Sequence, residues 1–167
     1  MKRIGVKGEP TSLPPSIPQG LRRELLLYVE DDESNWQVAE LRLSRGYELI
    51  RASNSLEACK LLRERGAEFA AILMDIELRG SELNGVDLTM LIRGRTPEAP
   101  IPPYARELPP LLHTPLIFVT AHGAKYSEAQ LVFAGGDKVI SKPVDFGLLS
   151  VALTQLHLTR AARAKRK

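Results

Sequence analysis

Four short apolar runs in this chain each stop at a residue able to do chemistry. Leu25–Val29 ends in Glu30, Asp31 and Asp32; Phe69–Met74 ends in Asp75; Leu116–Val119 ends in Thr120; Lys138–Ser141 ends in Lys142 and Pro143. If the runs are parallel strands, their carboxyl ends share one sheet edge, where ligands bind in open α/β sheets. That edge then gathers Glu30, Asp31, Asp75, one hydroxyl and one ammonium. Carboxylates packed together raise one another's pKa, so positive charge must offset them. Lys142 supplies one charge, and a divalent cation supplies the rest. An all-oxygen donor set without histidine or thiolate suits Mg²⁺, with Mn²⁺ as a substitute. Magnesium prefers to share a phosphate, so the pattern suggests a phosphate-handling site. A carboxylate nucleophile there can form an aspartyl phosphate. The metal would neutralise the transferring group while Lys142 and Thr120 hold its oxygens.

The elements between these runs read as helices. Ser34 and Gln37 form an S-x-x-Q capping pattern, with Gly46 placed to close that helix. Tyr47–Ala52 reads as a further strand. Asn54 or Ser55 caps a helix running to Gly66, Asn84 caps one over Gly85–Arg93, and another runs from about Ala124 to Ala134 before Gly135 and Gly136. Asp145 caps a last helix that fades into a basic tail. Strands alternating with helices five times imply an α/β fold, a parallel sheet with helices on both faces.

The size and composition fit one such domain. The chain has 167 residues, 44% hydrophobic and 26% charged, with a net charge of +3. Residues 1–23, with Pro10, Pro14, Pro15 and Pro18, read as a flexible leader, 24–160 as the domain and 161–167 as a basic tail that is a solvated helix end rather than a nucleic-acid contact. No apolar run approaches a membrane span, and no signal peptide is evident, so membrane insertion is not expected. The single cysteine, Cys59, reads as a small buried hydrophobe and fits a reducing cytoplasm. His113 and His157 have no partner at metal spacing; His157 reads as a surface residue, Tyr126 as helix surface and Trp36 as partly exposed packing.

Leu-Tyr-Val-Glu-Asp-Asp (27–32), Ile-Leu-Met-Asp-Ile (72–76), Phe-Val-Thr-Ala (118–121) and Ser-Lys-Pro-Val-Asp (141–145) together resemble the response-regulator receiver family of two-component signalling. Asp31 and Asp75 lie 44 positions apart (75 − 31), and Thr120 and Lys142 lie 22 apart (142 − 120), intervals like the family's. The resemblance implies a flavodoxin-like, doubly wound (βα)5 fold with strand order 2-1-3-4-5. It implies Asp75 as phosphoacceptor from a sensor histidine kinase or a histidine phosphotransfer protein. Glu30, Asp31, Asp75 and the backbone carbonyl of Glu77 would hold Mg²⁺. Thr120, the amide of Ala121 and Lys142 would bind the phosphoryl group, and the Lys142–Pro143 bond would be cis. Glu77 and His122 would flank the path of an attacking water and tune the lifetime of the phosphorylated state. The chain would act as a stand-alone receiver without an output domain, as a monomer or weak homodimer, signalling to a downstream target or relaying phosphate.

Three features depart from the family pattern. Val139 stands where an aromatic switch residue is usual. The loop from Asp75 to Gly85 looks about two residues longer. A proline-rich insertion over 94–115 reads as a tolerated surface insertion, with a polyproline partner-docking arm as the alternative. These features leave open a pseudo-receiver that works as an interaction module without phosphorylation. An aspartate-nucleophile phosphatase is disfavoured, because Glu77 stands where such enzymes carry their second aspartate.

Overall fold

The computed structural model describes residues 22–121 and 125–166. Residues 1–21 of the expected leader, and His122, therefore lie outside the described residues. Five strands, β1 (Glu24–Val29), β2 (Tyr47–Ala52), β3 (Phe69–Met74), β4 (Leu116–Thr120) and β5 (Lys138–Ser141), form one parallel sheet in the order β2-β1-β3-β4-β5. Five helices alternate with them: α1 (Glu33–Leu43), α2 (Ser55–Arg65), α3 (Gly85–Ile92), α4 (Glu128–Ala134) and α5 (Phe146–Ala164). The architecture is the expected doubly wound, flavodoxin-like one.

The central strands β1, β3 and β4 are almost wholly apolar because both sheet faces are covered there, whereas the edge strands β2 and β5 carry Glu48, Arg51 and Lys138. Alternate residues of β1 go to opposite cores. Leu25, Leu27 and Val29 join Ala58, Leu62, Leu88, Ile92 and Leu131 under α2, α3 and α4. Leu26 and Tyr28 join Ala39, Leu43, Leu149 and Leu153 under α1 and α5. Cys59 is fully buried, and burial pushes its thiol up to about 11, so it packs as a hydrophobe.

Helix starts are set by side-chain caps. Asn54, Asn84 and Asp145 cap α2, α3 and α5 as expected, each accepting from a backbone N–H three residues on. Two starts differ from the sequence reading. Asp32, not Ser34, caps α1 by accepting from Asn35 N, and Gln37 instead donates to Glu33. The helix starts early because its cap lies within the acid run, Glu30–Glu33, that follows β1. In α4, Ser127 and Gln130 form a reciprocal capping box, so the helix begins at Glu128 rather than near Ala124. Tyr126 accordingly precedes α4, and its hydroxyl accepts from Asn84 Nδ2 at 3.2 Å. His157, expected at the surface, is half-buried: Nδ1 lies 2.8 Å from Glu24 Oε2 and Nε2 lies 3.3 Å from the Ala70 carbonyl.

The proline-rich segment is tied to the domain. Its short 3-10 turn, Pro103–Ala105, sits on α2, with Ala105 buried. The Tyr104 hydroxyl lies 2.7 Å from Ser55 Oγ, and Arg63 donates to the carbonyls of Tyr104 and Arg106. Leu111 N–H donates to the Ile92 carbonyl at 2.7 Å. No helix among the described residues is long and apolar enough to cross a membrane.

Candidate functional site

The strand register builds the site. Val29 pairs with Met74, so the residues that follow them, Glu30 and Asp75, leave the sheet side by side. Thr120 pairs with Ser141, which places Lys142 one residue beyond the edge. Backbone bonds continue past the strand ends: Asp75 N–H donates to the Val29 carbonyl at 3.0 Å and Lys142 N–H to the Thr120 carbonyl at 2.8 Å. The Lys142–Pro143 bond is cis, as the resemblance implied.

These constraints bring the side chains together. Lys142 Nζ donates to Glu30 Oε2 at 2.6 Å and to Asp75 Oδ2 at 3.0 Å. Glu30, Asp31 and Asp75 each offer a carboxylate oxygen, all within 4.8 Å of one another. A cavity of about 280 Å³ opens over them, lined also by Glu77, Arg79, Thr120 and Ala121. Of the residues singled out from the sequence, only His122 falls outside the described part of the site. Val139 is half-buried and packs on the core beneath α4.

Burial decides the electrostatics. Glu30 is fully buried, and three donors hold it: Lys142, the Tyr28 hydroxyl at 3.1 Å and the Asp32 backbone N–H at 3.0 Å. Its partners fix it as the inner carboxylate. Burial raises the Asp75 carboxyl to about 6; Lys142 opposes that rise and Glu30 adds to it. Burial alone would lower the Lys142 ammonium, but its bonds to Glu30 and Asp75 outweigh that and raise it, so it stays charged. Burial likewise works upward on Asp31, yet the side-chain and backbone hydrogen bonds and the charge of Arg79 leave its carboxyl below the usual range. Burial and the neighbouring Glu30 push the Tyr28 phenol upward, so it stays a donor to that carboxylate.

Three partners of the site escaped the sequence reading. Tyr28 reads there as one more apolar strand residue. Arg51, on β2, donates to the backbone carbonyls of Glu30 and Asp31, each at 3.0 Å, and pairs with Glu33. It braces the turn that presents the acid pair. Arg79 places Nε 2.8 Å from Asp31 Oδ2. The extra length of the 76–84 loop was the available signal for Arg79.

Oxygen-only donors at close quarters, with an ammonium to one side, fit a small hard cation that retains water. They also leave a carboxylate, Asp75, at the cavity floor.

The model of the response regulator receiver domain matches residues 26–154. The chain belongs to that family. Its relatives include the polar-differentiation response regulator DivK of Brucella anthropi, 34% identical over 120 residues that cover 71% of this chain and 84% of the relative. The DivK of Brucella ovis is 33% identical over the same length. Among solved structures, the receiver domain of the sensor histidine kinase PA1611 from Pseudomonas aeruginosa, with a magnesium ion coordinated in its active-site cleft, matches with a TM-score of 0.63 and 25% identity, covering 81% of this chain and 98% of that one. The receiver domain of the Francisella response regulator 1452 matches with a TM-score of 0.65 and 18% identity over 82% of this chain and 98% of that one. This receiver domain is thus a DivK-like member of two-component signalling.

Proposed function

We propose that this receiver takes a phosphoryl group on Asp75 from a histidine kinase or histidine phosphotransfer protein, in a Mg²⁺-dependent reaction in the cytoplasm. One observation carries the reading: Asp75 sits at the cavity floor within 3.0 Å of Lys142 and beside Glu30 and Asp31. An Asp75 oxygen attacks phosphorus in line. The P–O bond forms as the P–N bond to the donor imidazole breaks, and the electron pair returns to the ring nitrogen. Asp31, Asp75 and the Glu77 carbonyl would hold the cation, with Glu30 supporting it from behind. When bound, the metal neutralises charge on the transferring group. Lys142 is shared between two carboxylates and can pass to a phosphoryl oxygen without leaving the site. Thr120 and the Ala121 amide would take the remaining oxygens. Glu77 and His122 would set how fast water removes the group. The charged product would bias the domain towards a form that binds a target, or pass the group onward.

A second reading, a receiver that binds partners without phosphorylation, draws on Val139, since a small aliphatic cannot swing between buried and exposed states as a ring does. Intact mass after incubation with acetyl phosphate separates the two. Wild type should gain one phosphoryl mass with Mg²⁺ and none with a chelator, and Asp75→Asn should gain none. No adduct on wild type at any Mg²⁺ concentration would favour the binding module.

A further inference from the structure

Arg79 sits on the acid pair in a way the phosphoacceptor reading does not use. Its side chain is 77% exposed, yet the guanidinium turns inward. Nε donates to Asp31 Oδ2 at 2.8 Å, the residue's own backbone N–H reaches the same oxygen at 3.2 Å, and Nη2 lies 3.4 Å from Asp32 Oδ2. Asp31 is one of the three carboxylates that converge within 4.8 Å, and its side chain is only 10% exposed. Few directions of approach to that carboxylate are open, and Arg79 takes one. The placement comes from an anchored turn. Leu78 and Leu83 are buried on either side of the arginine, and Gly80 turns the chain directly after it with φ +73°.

We propose that Arg79 is the resident counter-ion of the acid site, and that a divalent cation loads by displacing its guanidinium from Asp31. This one residue then sets the cation concentration at which the site becomes competent. The inference rests on the reading of the site as a Mg²⁺ site. Two cations cannot share one carboxylate oxygen at contact without repulsion. The arginine end of the pair is exposed to solvent, which leaves the pair weak enough to open, so Arg79 tunes loading rather than blocking it. Once released, the side chain has open solvent to occupy and its loop need not unfold.

The test is a Mg²⁺ titration of the metal-free full chain, followed by calorimetry and by the Arg79 Nε–H resonance. Arg79→Ala should bind Mg²⁺ roughly two- to five-fold more tightly than wild type, the size of an exposed ion pair. Arg79→Lys, which keeps the charge, should stay closer to wild type. In wild type the Nε–H signal should move in step with metal occupancy. Equal or weaker binding by Arg79→Ala overturns the proposal. So does tighter binding with a static Nε–H signal, which would reflect removal of a distant charge. Absence of Mg²⁺ binding in both proteins overturns this inference together with the reading beneath it.

Discussion

Lys142 offers one ammonium to two buried carboxylates, Glu30 and Asp75. Burial raises the affinity of Asp75 for a proton, Lys142 works against that rise and the Glu30 charge adds to it. The folded protein keeps that proton up to about pH 6, whereas an ordinary aspartate releases it near 3.8. Below about pH 3 both states are protonated and the group is neutral in its effect. Between the two values the unfolded chain binds fewer protons, so stability falls as pH rises, by on the order of 2–3 kcal/mol once the folded pKa is passed. Asparagine cannot titrate and escapes this. In chelator, Asp75→Asn should therefore melt only slightly above wild type at pH 4 and about 5 °C or more above it at pH 8. A gap that is constant across this range in thermal melts would show that Asp75 is not the strained charge.

The β3–α3 connection begins at Asp75, the proposed phosphoacceptor, and a glycine makes its path possible. A Cβ on Gly85 would lie 1.9 Å from the Asp75 carbonyl oxygen, and Gly85 N–H donates to the Ile76 carbonyl at 2.8 Å. The first residue of α3 thus lies against the backbone of the acceptor itself. Gly85→Ala must push that backbone away, at a cost of about 1–3 kcal/mol from overpacking. We expect a lower melting temperature together with weakened Mg²⁺ binding; unchanged Mg²⁺ affinity in calorimetry would mean that the acceptor's position does not depend on this contact. The strand tips were legible in sequence because a parallel sheet in regular register puts every strand's last residue on one edge. Arg51, Arg79 and the seat of Tyr104 were not. Their partners lie 20 to 49 positions away, and no local periodicity reports such a contact. The Ser34 cap failed for a local reason: Asp32, inside the acid run, already caps α1 two residues earlier.

At the scale of the whole molecule, two cores hold one working edge. α2, α3 and α4 cover one face and α1 and α5 the other, so the strand ends are fixed from both sides. The proline-rich segment adds a layer on α2 and α3, packed through Ala105 and Leu111. Its composition gave no sign of this seat, because packing of an irregular segment is decided by the surface it meets. The arrangement gives the domain a purpose that one chemical trap can read. Borohydride reduces an aspartyl phosphate to homoserine, which marks the acceptor permanently. After treatment with Mg²⁺ and acetyl phosphate, reduction and peptide sequencing by mass spectrometry, position 75 should read as homoserine in wild type, and the mark should vanish when Mg²⁺ is withheld. Homoserine at Asp31 or elsewhere, or at no position, would contradict the account.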